Sequence, residues 1–153
     1  MPDKKTIRRA RRDAAEGKAP ATQAGEFVKE EIEHIREGKH GARSTKQAIA
    51  IGLSKARRAG VPLPPPKKGT VSEKTRRSAE SAYEKGQAHE PVSQKRSQAR
   101  EKALQREPRT AASHAALSRQ ARSAAKKRAA GQRPTAARKA AATRKTGKGS
   151  RTM

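Results

Sequence analysis

Large apolar residues are sparse along this chain, and most of them fall in one stretch. Residues 25–64 hold Phe27, Val28, Ile32, Ile35, Ile49, Ile51, Leu53, Val61 and Leu63. Val28, Ile32 and Ile35 stand at i, i+4 and i+7, a narrow helical stripe, with Glu30, Glu33 and Glu37 on the other side and Gly38 as a stop. This predicts a helix over about 26–37. A second helix is predicted over about 45–59, opened by a capping box of Ser44 and Gln47 and closed by Gly60, Val61 and Pro62. On that helix Ala48, Ile49, Gly52, Leu53, Ala56 and Ala59 share one broad arc, which pairs with the first stripe, Gly52 allowing close approach. The expected result is a helical hairpin over 25–61. Ile51 falls off the arc, between Lys55 and Arg58, and marks a second contact surface for a later helix or a second copy of the chain.

The pattern elsewhere is thinner. Residues 1–24 carry Ile7, Arg8, Arg9, Arg11 and Arg12, then Gly17 and Pro20, and read as a flexible basic arm. Pro62, Pro64, Pro65 and Pro66 make a stiff linker over 62–69. Beyond it come separate basic helices within 70–131. One spans about 70–86, capped by Thr70 and Glu73, the next about 92–107, and the last, rich in Ala, about 110–130. Residues 132–153 read as a disordered basic tail. The fold class is therefore all-α, with a hairpin, disordered termini and little hydrophobic core.

Composition explains why the core is small. Ile, Leu, Val and Phe number 14 among 153 residues, while 30 alanines supply most of the apolar fraction. A highly charged chain below roughly 20% of such residues is expected to be largely disordered. With no Cys there is no disulfide framework. No apolar run suits a signal peptide or a membrane span, so the expected location is the cytoplasm, with no membrane partner.

Charge then points to a partner. The net charge is +25, and residues 109–153 hold 13 Lys and Arg and no acid. Such a surplus calls for a polyanion, nucleic acid above all. Residues 133–151 are similar in composition to the Lys/Ala-rich tails of linker histones and bacterial histone-like proteins. The expected function is non-enzymatic, sequence-nonspecific DNA binding of nucleoid-associated or histone-like type, with most affinity in the C-terminal third. Alternatives are a structured-RNA or ribosome-associated protein, and an adaptor that binds a protein through the hairpin. DNA is favoured over RNA because Phe27 and Tyr83 are the only aromatic side chains of their kinds, too few for base stacking.

Candidate phosphate contacts fall into three sets. The loop 38–43 leads into a helix N-terminus, where backbone N–H groups can meet an anion beside Lys39, Arg43 and Lys46. Lys55, Arg57 and Arg58 lie on the second helix. Arg119, Arg122, Lys126, Lys127, Arg128, Arg138, Lys139, Arg144 and Lys145 follow in the last helix and tail. The loop is not a P-loop, lacking its spacing. Helix–loop–helix order invites comparison with a DNA reader, for which Lys46, Gln47, Lys55 and Arg57 or Arg58 would touch bases; the loop is longer than that motif allows. His34 and His40, near Glu30 and Glu37, lack a tetrahedral spacing set, so both are expected to face solvent, with no metal, cofactor or small-molecule substrate. No cleft for catalysis is expected.

The run Arg43-Ser44-Thr45-Lys46-Gln47-Ala48-Ile49-Ala50-Ile51-Gly52-Leu53-Ser54-Lys55-Ala56-Arg57 resembles a family of small basic bacterial proteins classed as a domain of unknown function, whose signature is a Lys-Gln-Ala-Ile-Ala-Ile core. Members often carry an acidic residue where Lys55 stands. The run from Arg109 to Gln120 is similar to a segment of longer members. The resemblance implies a bacterial source and no established activity.

Overall fold

The computed structural model describes residues 1–127, whose regular elements are helices, with no strand among them. The helices are α1 (Lys4–Ala15), α2 (Pro20–Arg36), α3 (Thr45–Arg58), α4 (Glu73–Gln87), α5 (Gln94–Leu104) and α6 (His114–Lys127), with a 3-10 turn at Thr110–Ala112. The described residues fall into two units, 1–117 and 118–127. The predicted 132–153 tail lies outside the described residues.

The hairpin forms as predicted from α2 and α3. Ser44 caps α3, its Oγ accepting from Gln47 N at 3.2 Å, while Gln47 Oε1 accepts from Arg43 N at 2.7 Å. The reciprocal arm of the box thus reaches one residue further back than its usual form. At the other end Gly60 adopts φ +90°, and Val61 N–H donates to Ala56 O at 3.1 Å, the predicted Schellman stop. Gly52 sits where the two helices touch: a Cβ there would lie 2.6 Å from Val28 Cα. Gly52→Ala should therefore destabilise the chain by about 1–3 kcal/mol despite Ala's better helix propensity, because backbone, and not a pliable side chain, must move aside. Urea unfolding followed by circular dichroism would show a lower midpoint; an unchanged one would mean that α2 and α3 do not approach so closely.

Residues 1–24 are not a flexible arm. α1 occupies half of them and packs on α2, burying Thr6, Ala10 and Asp13. The turn after it is tied by Lys18 Nζ to Asp13 Oδ1 at 2.7 Å and by Gln23 Nε2, which donates to Lys18 O at 2.8 Å. The hydrogen bond to Asp13 raises the Lys18 pKa. Nor does Pro20 break a helix. It occupies the first turn of α2, where its missing N–H has no intrahelical partner to lose, so α2 starts six residues before the predicted position, 20 against 26.

Alanine builds much of the core that large residues cannot. One cluster joins Ala10, Ala24, Phe27, Ala56 and Val61; the other joins Ile32, Ile35, Ala42, Ala48, Ala111 and Ala112, with Val28 and Leu117 against it. The predicted single helix over 110–130 is divided: Thr110–Ala112 turns into the hairpin core, and α6 starts anew at His114, with residues 128–131 outside the described range. Hydrogen bonds fix that segment. Thr45 Oγ1 donates to Ala111 O (2.7 Å), Arg36 Nε to Ala112 O (3.0 Å), Gly41 N to Leu104 O (2.9 Å) and Ala42 N to Pro108 O (3.0 Å).

Of the helices after residue 70, α4 is not separate. It packs on α3, burying Ala79, Ala82 and Gly86, the last against the Arg57 carbonyl. Its cap is Ser72, whose Oγ accepts from Thr75 N at 3.2 Å, in place of the predicted Thr70. α5 packs on no other helix among the described residues and buries none of its own. Polar all round, it is the one helix that matches the expectation of a free-standing basic element.

Candidate nucleic-acid interface

The predicted anion loop lacks most of the donors it was expected to offer. The N–H groups of Gly38, Lys39, Gly41, Ala42 and Arg43 donate to Ile35 O, His34 O, Leu104 O, Pro108 O and Gln47 Oε1. Folding spends these amides on the loop's own neighbours, so they are not available to a phosphate. Its side chains do reach solvent. Lys39 is exposed and 3.0 Å from Glu37, whose hydrogen bond raises the lysine's pKa. Arg43 is exposed, 3.9 Å from Glu107, and Lys46 is exposed with no ion pair among the described residues.

Two of the three α3 cations turn inward. Lys55 Nζ lies 2.6 Å from Glu31 Oε2 and 3.9 Å from Glu30 Oε1. Arg57 is buried, and its guanidinium donates to Leu63 O and Pro64 O, both at 3.2 Å, binding the Pro-rich linker to α3; burial lowers its pKa. Arg58 reaches Glu90 O and Pro91 O with long contacts of 3.5 and 3.4 Å. Gln47 is committed to its cap. Base reading by α3 therefore loses Gln47, Lys55 and Arg57, leaving Lys46 and Arg58.

The N-terminal segment, expected as a flexible basic arm, presents its cations on a folded helix. Lys4, Lys5, Arg8, Arg9, Arg11 and Arg12 are all exposed on a helix held in place by Thr6, Ala10 and Asp13 on its inner side. Lys4, Ile7, Arg8 and Arg11 line one shallow open groove, and Lys5, Arg8, Arg9 and Arg12 line another. Arg9 and Arg12 have acidic neighbours at 3.7 Å, Glu26 and Glu16; Lys4, Lys5, Arg8 and Arg11 have none among the described residues. The i, i+4 spacing of Lys4 and Arg8, and of Thr6 and Ala10, carried the signal. α5 adds Lys95, Arg96, Arg100 and Lys102, all exposed. In the second unit Arg119, Arg122, Lys126 and Lys127 are exposed along α6, the first three at i, i+3 and i+7 on one face. Arg128, Arg138, Lys139, Arg144 and Lys145 lie outside the described residues.

The expectation of solvent-facing histidines is corrected. His40 is buried, and the His34 side chain is 13% accessible, because α2 turns His34, and the following loop His40, toward a polar centre with Glu30, Glu31 and Lys55. His40 Nε2 lies 3.3 Å from Glu31 Oε1, and His34 Nε2 lies 3.6 Å from Asp3 Oδ2. Glu37, named from the sequence, is not part of this centre; it is exposed and faces Lys39. Glu31, which sequence reasoning missed, is wholly buried.

No helix among the described residues is long and apolar enough to cross a membrane. A family model, that of a family of unknown function (DUF6496), matches residues 21–68, about a third of the chain. The match covers α2, the loop, α3 and the Pro-rich linker, and includes the run 43–57. No curated protein and no solved structure matches the chain.

Proposed function

We propose that the chain is a non-enzymatic nucleic-acid-binding protein of nucleoid-associated type, which neutralises phosphates of duplex DNA with little sequence preference. The observation that carries this reading is the outer face of α1, where four cations without acidic partners among the described residues stand on a helix fixed by its inner side. Self-repulsion on such a face destabilises the free protein and is relieved by a polyanion. The exposed cations of α5 and α6 extend the same chemistry. Little sequence preference is expected because Gln47, Lys55 and Arg57, three of the candidate base-reading side chains of α3, are engaged within the fold. Phe27 is 1% exposed and cannot stack on a base, which favours duplex over single strands.

The hairpin gives less support to a protein adaptor or a homodimer. α1 packs on α2, α4 packs on α3, and Thr110–Ala112 contacts both, so each hairpin helix has neighbours within the chain. The only large apolar side chains classed as exposed among the described residues are Met1, Val71 and Val92.

Salt dependence tests the proposal. With ~8 phosphates neutralised, log K against log salt should fall with a slope of about −7 on duplex DNA. A slope near zero would sink the reading. Competition with ribosomal RNA at matched salt then separates DNA from structured RNA, since preferential capture by the RNA would reverse the choice of partner.

A further inference from the structure

We propose that Glu31, His34 and His40 form a binding site for a divalent transition ion of zinc type, at the turn from α2 to α3. Glu31 and His34 stand one helical turn apart on α2, and His40 returns to them from the loop. One ligand atom from each lies within 4.8 Å of the others. The 3.3 Å between Glu31 Oε1 and His40 Nε2 matches the ~3.3–3.4 Å edge of a tetrahedron with metal–ligand bonds of ~2.0–2.1 Å. The His34 and His40 rings meet edge to face with centroids 6.0 Å apart, near the ~5 Å of two imidazoles on one tetrahedral ion.

Two further observations point to a cation. First, Glu31 is 0% exposed, and its Oε1 makes no hydrogen bond. Buried polar atoms are nearly always satisfied, so this oxygen calls for a partner. Lys55 sits against Oε2 at 2.6 Å and orients the carboxylate, leaving Oε1 facing His40. Second, His40 Nδ1 lies 3.1 Å from Gly41 O. A carbonyl only accepts, so Nδ1 is engaged there and Nε2 is the ring nitrogen left facing the Glu31 carboxylate. An ion between Nε2 and Oε1 would take one ligand atom from each. A backbone carbonyl on the far ring nitrogen is also how metal-binding histidines are held.

Charge balance agrees. Glu31, Glu30 and Asp3 surround His34 and His40 with three carboxylates, against the ammonium of Lys55 in contact and the attraction of Lys39 for Asp3 and Glu30. Glu30 is 4% exposed, and its Oε1 also lacks a hydrogen bond. A dication offsets the remaining negative charge. Two imidazoles and a carboxylate suit zinc, whose sites accept that donor set. With the ion bound, α2 is tied to the loop that carries Gly41 and Ala42, and so to residues 104–112.

The test uses the full chain, freed of nucleic acid by nuclease and high salt and stripped with a chelator. Calorimetric titration with Zn²⁺ should show one ion per chain with Kd on the order of 1 µM or tighter. His34→Gln and His40→Gln should each weaken binding by on the order of 100-fold, while His89→Gln leaves it unchanged. No uptake by the intact chain, or uptake undiminished in both variants, overturns the site. Should those variants misfold, imidazole ¹⁵N spectra of the intact chain decide: zinc must shift His34 and His40 and spare His89 and His114. A His40 Nε2 that carries a proton before and after zinc addition refutes the proposal.

Discussion

Replacing Lys4, Lys5, Arg8 and Arg11 by Gln should lower affinity for duplex DNA by on the order of 10²-fold at 0.1 M salt and make the salt slope shallower by about 3–4. The reasoning is local. Each of these cations is exposed without an acidic neighbour among the described residues, so each phosphate it meets releases a counterion in full. None touches the inner side of α1, where Thr6, Ala10 and Asp13 hold the helix. Thermal unfolding should therefore be unchanged or slightly raised as repulsion falls, which separates a binding defect from a folding one. Fluorescence anisotropy over a range of salt measures both quantities. An unaltered slope with the four charges removed would show that α1 faces away from the nucleic acid and would move the interface to α5 and the second unit.

Phe27→Ala should cost about 3–5 kcal/mol, the largest loss expected from a single core substitution. Phe27 is the largest wholly buried side chain among the described residues; its buried neighbours Ala10, Ala24, Ala56 and Val61 are small, and the larger Ile7, Leu53 and Leu63 pack around them only partly buried. Alanines have no flexible ends with which to fill a hole, so the cavity should persist. Domains are stable by only ~5–15 kcal/mol in total, and this one has few other large residues to compensate. The urea midpoint should drop by a large fraction with the slope unchanged; a loss below about 1 kcal/mol would mean that α1 is not seated on that cluster.

What the sequence made legible was what it encodes over short distances. Ser44 with Gln47, and Gly60 with Val61, state the ends of α3 within a few residues, and the hairpin followed from them. α1 was misread because its inner face is Thr6, Ala10 and Asp13, none of which registers as apolar mass. Ala111 and Ala112 look like the other alanines around them, and only their place against Ile32, Ile35 and Ala48 distinguishes them. Lys55 and Arg57 were assigned to phosphates because a cation's partner is settled by the tertiary fold. Glu31 sat in an acidic run that reads as solvated, although Phe27, Glu31 and Ile35 are spaced by four and share one face. That register was the available sign that a carboxylate would be carried inside.

The closure of residues 104–112 onto the hairpin also sets an order of events in time. Thr45 and Ala111, joined through the Thr45 hydroxyl, are 66 positions apart, and Arg36 and Ala112 are 76 apart. At ~5–20 residues per second a ribosome needs several seconds to deliver the second partner after the first. During that interval α2 and α3 exist with Ile32, Ile35 and Ala48 uncovered on one side. The nascent chain therefore passes through a stage that is stickier than the finished molecule, and its last stabilising contacts come from one of its least distinctive stretches.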